Sequence, residues 1–381
     1  MTEARPAASP PVSARARPGG TGGAGAAGLG ARLRSGAGRV LGALTTPLLP
    51  DDYLDVLAPL RSGAALRGRI EHVVAETADA ATIVIQPGRG WLGHEPGQYV
   101  RLGVDVDGVR LWRAYSLTSG PRADGRVAIT VKAIPGGRVS THLVHAARPG
   151  TLVQMDQATG DFLLPRAVPP RLLFVTAGSG ITPVMGMLRN RLDQMRDVVV
   201  VHSAPTPAEV IFGSDLRDLA AAGLLRLVER HTDTDGVLGP ADLARLVPDW
   251  DLRQTWACGP IAMLDDLETH WAVAGEEARL HTERFRPRIV ATGEGGSVSF
   301  SRSGISADAD GATPLLDVGE GAGVLMRSGC RMGICYGCVV PLESGAVRDL
   351  RTGVVSTGEP GDGIQVQACV TAAAGPCEIG A

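Results

Sequence analysis

The sequence has few aromatic residues and no strong excess of either charge. Phe, Trp and Tyr make up 4% of its 381 residues, and the net charge at pH 7 is -3. A nearly neutral chain of this kind predicts neither a nucleic-acid binder nor an acidic scaffold. Six cysteines are too few for a disulfide framework in so long a chain, and they favour a reducing, cytoplasmic compartment.

The sequence also lacks a long unbroken apolar run. Its longest uncharged apolar stretch, residues 172–188, is interrupted by three glycines and a proline, so it does not predict a membrane span. Residues 1–40 have no apolar core, and we expect no signal peptide. They consist mainly of Ala, Gly, Pro and Arg. That composition predicts a disordered leader, with weak attraction to an anionic membrane surface as the alternative.

Residues 44–60 are much more apolar than the leader and read L-T-T-P-L-L-P-D-D-Y-L-D-V-L-A-P-L. Asp51 and Asp52 are suited to a helix N-terminus, and apolar residues follow them. We predict a short helix packed on the next domain. The alternative is a docking element at a membrane surface, which would bring a cytoplasmic protein to the inner face of the membrane.

Four of the cysteines have a spacing typical of a metal centre. Cys330, Cys335 and Cys338 form a C-x4-C-x2-C motif, and Cys369 follows further along the chain. This is the spacing of a plant-type [2Fe–2S] ferredoxin, and thiolate is a ligand that suits iron–sulfur iron. A structural zinc site is the alternative, although zinc modules usually carry two C-x2-C-like pairs. Cys377 is expected near a mobile chain end and is not predicted to be a ligand.

Glycine (51) and proline (26) are abundant, and the length allows two or three domains. From residue 66 to about 165, evenly spaced β-rich stretches predict an antiparallel barrel. Its strands are predicted at 67–74, 82–85, 99–102, 109–112, 127–131 and 152–155.

Two motifs in this region carry chemistry. In R-A-Y-S-L-T, Arg113 is suited to a phosphate, Tyr115 can lay its ring against a flat cofactor, and Ser116 can hydrogen-bond a ring nitrogen. In G-G-R-V-S-T, Gly137 and Ser140 put a bare backbone turn and a hydroxyl at the start of a helix, where anions are favoured.

The next region alternates apolar strands with helices, which predicts a doubly wound α/β domain with phosphate at the first helix N-terminus. Buried strands are predicted at 172–175, 198–201, 224–228 and 255–258. The turn T-A-G-S-G-I-T-P follows the first strand, and the triplet C-G-P ends the last. Residues 287–296 are predicted to be a linker. Residues 297–381 match a small β-grasp ferredoxin with a hairpin at 298–300, a helix near 314–319 and strands at 339–340 and 364–370.

Together these motifs resemble the ferredoxin–NADP reductase superfamily, in the domain order of reductases that feed oxygenases and desaturases. The resemblance implies a leader at 1–43, an apolar segment at 44–65, a flavin-binding β-barrel at 66–168, an NAD(P)-binding α/β domain at 169–286, a linker at 287–296 and a [2Fe–2S] ferredoxin domain at 297–381.

The resemblance also implies the roles of individual residues. Catalysis is assigned to Tyr115, Ser116, Cys258 and Glu283. Flavin contacts are assigned to Arg113, Tyr115, Ser116, Leu117, Thr118, Lys132, Gly137, Val139, Ser140 and Thr141. Nucleotide contacts are assigned to Gly178, Ser179, Gly180, Thr182, Pro183, Ser203, Cys258, Gly259, Pro260 and Phe285. For three of these residues a structural role is the alternative: Cys258 could simply end a buried strand, and Glu283 and Phe285 could be hinge and packing residues.

The implied function is electron transfer from NAD(P)H through FAD and the cluster to an acceptor protein. FMN is the alternative flavin. NADPH is expected, with NADH as the alternative, because Ser203 has no arginine next to it. Three parts of the sequence look like the corresponding parts of actinobacterial NADPH reductases that supply membrane stearoyl-CoA Δ9-desaturases: 44–54, 254–260, and 330–335 with 347–353. That likeness implies an acyl-CoA desaturase partner. A cytochrome P450 or ring-hydroxylating oxygenase is the alternative acceptor, and a redox-sensing regulatory protein is the alternative from another class.

Overall fold

The structure is a computed structural model that describes residues 60–61, 66–120, 122–286 and 288–381. The predicted leader and nearly all of the apolar segment at 44–65 lie outside the described residues. The described chain forms three sheets in sequence order, each with its own buried apolar cluster.

The first sheet is an antiparallel barrel, as the strand spacing predicts. Its spatial order is β4-β3-β6-β1-β2-β5, and an antiparallel bridge between Leu117 and Ile129 joins its two edges. A short helix, α1 (Arg138–Thr141), and a π-helical turn follow β5. The strands are β1 (Arg67–Thr77), β2 (Ala80–Pro87), β3 (Tyr99–Val106), β4 (Val109–Ser116), β5 (Val127–Lys132) and β6 (Leu152–Met155).

The second sheet is parallel, in the order β11-β10-β7-β8-β9. Its central strands are apolar on both sides because helices cover both faces. On β7, Phe174 packs in the cluster with α2 and α3, whereas Leu173 packs in the cluster with α5 and α6. The elements are β7 (Arg171–Ala177), α2 (Ile181–Arg191), β8 (Asp197–Ala204), α3 (Gly213–Ala221), β9 (Arg226–His231), α4 (Thr232–Asp235), α5 (Pro240–Leu246), β10 (Gln254–Cys258), α6 (Ile261–Ala274) and β11 (Leu280–Glu283).

The third sheet has the order β13-β12-β17-β14-β15, and β16 pairs with β14. The helix α7 covers it with Leu315 and Leu316, which are fully buried. The elements are β12 (Gly296–Phe300), β13 (Ile305–Ala309), α7 (Leu315–Gly321), β14 (Val339–Asp349), β15 (Val355–Gly358), β16 (Gln365–Gln367) and β17 (Thr371–Ile379).

Two predictions about this last region are wrong. Cys369 lies in the turn between β16 and β17, not in a strand. Cys377 is not at a mobile end, because it is buried in β17, which pairs with β12 on one side and β14 on the other.

The linker at 287–296 stays a prediction. Within it, the N–H groups of Val290 and Gly293 donate to the carbonyls of Leu350 and Gly311 at 2.8 and 2.7 Å.

Within the described ranges, no helix has both the length and the apolar character needed to cross a membrane.

Candidate functional site

The cluster loop, residues 329–338, directs its own amide groups at its cysteine sulfurs. The N–H of Cys330 donates to Sγ of Cys335 at 3.1 Å, and the N–H of Gly337 donates to the same sulfur at 3.4 Å. The N–H of Met332 donates to Sγ of Cys330 at 3.3 Å. Amide donors of this kind stabilise negative charge on sulfur. The loop is therefore shaped for thiolates.

The four predicted ligands form two pairs of interacting thiols. Hydrogen bonding from Cys330 lowers the pKa of Cys335 to about 4, and the amides and Arg101 contribute, while the pKa of Cys330 is raised in turn. Hydrogen bonding from Cys369 lowers the pKa of Cys338 to about 7, while its own pKa is raised. One thiol of each pair thus already favours the thiolate form that iron requires.

This arrangement fits a binuclear cluster, in which four cysteines hold two irons. A zinc ion would need its ligands around a single point. The division of the four cysteines into two pairs, Cys330 with Cys335 and Cys338 with Cys369, is the arrangement that two irons would use.

The loop backbone also has two large residues in the left-handed conformation. Arg331 and Tyr336 have φ angles of 60° and 55°, which large L-residues rarely adopt. Arg331 is held there by ion pairs with two acidic residues of α7, Asp317 at 2.5 Å and Glu320. Such conformations persist where the surrounding structure fixes them, and they concentrate at functional sites.

The end of β4 brings three predicted flavin residues to one place. Ser116 is buried, and its Oγ has no hydrogen-bond partner among the described residues, a situation that costs about 1–3 kcal/mol unless a ligand completes it. Burial raises the pKa of the Tyr115 phenol. Burial, and then the charge of Arg331 in the cluster loop, lowers the pKa of Arg113. A ring, an unpartnered hydroxyl and a cation fit the isoalloxazine face, edge and phosphate of a flavin.

The turn before α1, predicted to bind an anion, is held by a hydrogen bond between its own residues. Gly137 precedes α1, and a Cβ there would overlap the Ser140 hydroxyl. That hydroxyl donates to the Gly137 carbonyl at 3.1 Å. Thr141 is exposed one residue later. The turn has the compact backbone that an anion site needs, and its flavin contacts remain predictions.

Other predicted flavin residues have side chains that already contact other residues of the barrel domain. Leu117 and Val139 are buried in its apolar core. The Thr118 hydroxyl donates to the Ala128 carbonyl at 3.3 Å. Lys132 forms an ion pair with Asp79 at 2.7 Å. Contacts of these four residues with a flavin therefore also remain predictions.

The glycine-rich turn packs directly on the C-G-P segment. Gly178 has a φ of +53°, and a Cβ on Gly180 would overlap the carbonyl of Cys258. The Thr182 hydroxyl donates to the Ser179 carbonyl at 2.9 Å, which fixes the start of α2. The two segments therefore meet at the carboxyl edge of the parallel sheet, where such sheets bind ligands. The same segments contain the remaining predicted residues Pro183, Gly259 and Pro260.

Cys258 and Glu283 are paired across β10 and β11 at this edge. Burial, and then the charge of Glu283, raises the pKa of the fully buried Cys258 thiol. Burial, and then the charge of Asp161, raises the pKa of Glu283 to about 8, and its Oε2 has no partner in the described part of the chain. At neutral pH the pair is mainly a neutral thiol beside a neutral carboxylic acid.

Ser203 lies at the same edge, at the end of β8. It is buried, and its Oγ is unpartnered within the described ranges. The preceding residue, His202, was not identified from the sequence: its Nδ1 bonds to the Thr176 hydroxyl at 2.8 Å, and burial lowers its pKa to about 4. Phe285 follows β11 and is partly exposed.

Strand β3 contains residues that interact with the predicted flavin, nucleotide and cluster residues. Tyr99 pairs with Ser116 on β4, and its pKa is raised by burial and by the charges of the cluster cysteines and Glu283. Arg101, two residues later, lies beside the cluster loop, where its guanidinium and Sγ of Cys335 flank Gly329. The sequence analysis does not identify either residue. Alternation along β3 places both outside the barrel, but no sequence signal indicates which domain covers that face.

Comparison with known proteins agrees with this division. Residues 71–163 match the oxidoreductase FAD-binding domain, and residues 299–374 match the 2Fe-2S iron-sulfur cluster binding domain. An NADPH oxidoreductase of Mycobacterium tuberculosis is 52% identical over 349 residues, which cover 90% of this chain and 91% of the relative. The chain belongs to this family of NADPH oxidoreductases. The oxidoreductase is thus an enzyme that uses FAD, a [2Fe–2S] cluster and NAD(P)H.

More distant relatives of the oxidoreductase include reductase subunits of larger enzyme systems. The stachydrine N-demethylase reductase subunit of Rhizobium meliloti is 27% identical over 325 residues, which cover 78% of this chain and 92% of that protein. The structure of phthalate dioxygenase reductase shares the fold, with a TM-score of 0.59, 22% identity and coverage of 83% of this chain and 98% of that one. The oxidoreductase is an electron-transfer reductase of this general type.

Proposed function

We propose that electrons enter at the carboxyl edge of the second sheet and leave through the cluster loop, with the flavin between β4 and β11. The proposal rests on Tyr99. Its backbone pairs with Ser116, and burial and then the charges of Cys330, Cys335 and Glu283 raise the pKa of its phenol. The nucleotide, flavin and cluster residues therefore lie around one side chain. Bound FAD supplies the change from two-electron to one-electron transfer.

Each part of the chain has a defined task in this scheme. Cys258 and Glu283 form a buried neutral surface for the nicotinamide, and Tyr115 and Ser116 hold the flavin ring. Arg113 binds the flavin phosphate, as the chemistry of its guanidinium favours. The reducing nucleotide is proposed to be NADPH. The support is the sequence resemblance, and the buried unpartnered hydroxyl of Ser203 offers one donor for its ribose phosphate.

The proposed acceptor is a membrane-embedded acyl-CoA desaturase acting on stearoyl-CoA, and the proposed site of action is the cytoplasmic face of the membrane. This choice is supported by the resemblance to desaturase reductases at residues 44–54, 254–260 and 330–335 with 347–353. A reductase that only reduces soluble partners has no need of the apolar segment at 44–60. The basic leader before it would add a weak, salt-screened attraction to anionic lipid.

Reconstitution tests the acceptor. With NADPH, the full-length protein should support desaturation of stearoyl-CoA by membranes that contain a desaturase. Deleting residues 1–60 should weaken this coupling while ferricyanide reduction stays unchanged. If the protein supports a soluble oxygenase well and the desaturase not at all, the desaturase proposal is wrong and the electron-transfer function stands.

An oxygenase is the second candidate acceptor, because several relatives at 27–30% identity are named as reductase subunits or components of monooxygenases. The two candidates are separated by the same experiment run with a ring-hydroxylating oxygenase and with a cytochrome P450. A purely regulatory protein would bind both cofactors, yet its reduced cluster would not be reoxidised by any of the three acceptors.

A further inference from the structure

We propose that Arg101 is a positioning residue for electron transfer from the flavin to the cluster: its guanidinium holds the Cys335 side of the cluster loop against the barrel and favours the reduced cluster.

The barrel fixes the direction of the Arg101 side chain. Its guanidinium forms an ion pair with Asp156 of the segment after β6, and the Asp156 N–H donates back to the Arg101 carbonyl at 3.0 Å. It also lies over the Trp112 ring, 5.9 Å from the centroid. Trp112 can lie there because Gly103 has no side chain; a Cβ would come within 2.9 Å of the ring. Two side-chain contacts, supported by one backbone hydrogen bond, thus hold a long side chain in one orientation.

The far end of Arg101 contacts the cluster loop. A Cβ on Gly329 would overlap Sγ of Cys335 and would lie 3.3 Å from Nη1 of Arg101, so the guanidinium and this sulfur flank the same glycine. Cys330, Cys338 and Cys369 are buried, whereas Cys335 is only partly so. The barrel-facing sulfur is therefore the least enclosed of the four, and Arg101 covers it.

The charge has a defined effect on the transfer step. Oxidation of one NAD(P)H supplies two electrons, which a bound flavin would pass to the cluster one at a time. A bound cluster would gain one negative charge with each electron, and the half-buried side chain of Arg101, 26% exposed, would attract that charge with little screening. Hydrogen bonds to the sulfurs and net charge are among the factors that set cluster potentials. Asp156 moderates this attraction, because its carboxylate pairs with the same guanidinium.

The test is a redox titration of the cluster in holoprotein, followed by its EPR signal. In Arg101→Gln the equilibrium constant for one-electron reduction of the cluster should fall about tenfold. This corresponds to a reduction potential lower by about 59 mV. Reduction of the flavin by NADPH should stay at the native rate. Arg101→Lys should recover part of the loss. The matched control is Arg110→Gln, which removes another arginine of the same sheet that is paired with Asp105 at 2.7 Å.

A second variant keeps the proposal testable if Arg101→Gln loses its cluster. Asp156→Asn leaves Arg101 in place and removes the carboxylate that offsets it, so the cluster should become easier to reduce. The proposal is overturned if Arg101→Gln retains the native potential, if Arg110→Gln shifts it equally, or if Asp156→Asn leaves it unchanged or lowers it.

Discussion

Replacing Glu283 by Gln tests the buried carboxyl beside Cys258. The substitution keeps the size of the side chain and removes the titrating proton. In the native protein the pKa of Glu283 is raised from 4.5 to about 8, first by burial and then by the charge of Asp161. Between these two pH values the native carboxyl holds its proton, whereas the carboxyl of the unfolded chain has lost it.

The sign of the stability effect follows from proton binding. The native state binds more protons than the unfolded state between pH 4.5 and about 8, so Glu283 makes the protein less stable as the pH rises through this window. Each pH unit within it corresponds to at most about 1.4 kcal/mol. Glu283→Gln removes this cost. Its advantage over the native protein should therefore be at most about 3 kcal/mol larger at pH 8 than at pH 6.

The measurement is the free energy of unfolding of holoprotein by urea at pH 6, 7, 8 and 9, for both proteins. The difference between them should grow up to pH 8 and then level off. Glu277→Gln is the control, because this carboxylate is exposed at the end of the same domain. It should show no such growth.

Two results would refute the reasoning. If Glu283→Gln has a pH-independent effect on stability, the native carboxyl is not protonated at neutral pH. If the advantage of the variant shrinks as the pH rises, the carboxyl is ionised and stabilised by a cation in the holoprotein.

The remaining predictions concern the cofactor sites. Cys377→Ser should keep full iron content and the native visible spectrum, although its buried hydroxyl should lower stability by about 1–3 kcal/mol; loss of the cluster there, with retention in Cys369→Ser, would reverse the ligand assignment. Tyr115→Ala and Ser116→Ala should each weaken flavin binding or function by on the order of 1 kcal/mol, measured by flavin content and stopped-flow reduction, and native behaviour of both variants would contradict their assigned contacts. Cys258→Ala should slow flavin reduction by NADPH with a normal cluster content, and a native rate would leave Cys258 a structural residue.

Most of the fold follows from local patterns in the sequence. All six barrel strands were predicted, because glycine or proline interrupts the β-rich stretches at every turn except the one between β1 and β2. The buried runs of β7 and β8 were equally clear, because a strand covered on both faces is apolar throughout. The strand β9 begins two residues later than predicted, at Arg226 and not at Leu224, because the apolar start of the run belongs to the turn before it.

The errors in predicted secondary structure arise where tertiary packing, not the local sequence, determines whether a strand forms. The strand β11 is only four residues long and three of them are polar, so its sequence gives no strand signal; it forms because β10 offers a paired edge. Similarly, β17 contains Gly375 and Pro376, which indicate a loop when they are considered alone. Neighbouring strands on both sides override that local preference.

The candidate site was predictable only in part. Motifs mark the residues to which cofactor contacts are assigned, such as Ser116 and Cys335, because the chemistry restricts their type. The residues that connect the domains, Tyr99 and Arg101, have no motif. They acquire their position from the way in which the third domain packs on the first, and this packing leaves no periodic signal in either segment.

The place of β17 in the third sheet has a consequence for how the protein is made. This strand lies between β12 and β14, so it supplies hydrogen bonds to both. On the ribosome, the cluster loop emerges well before residues 371–379, and until they emerge the sheet has an open gap at its centre. Domains fold as units during synthesis. Iron and sulfide should therefore be inserted only after this last strand has been released, and a nascent chain stalled before residue 371 should carry no cluster.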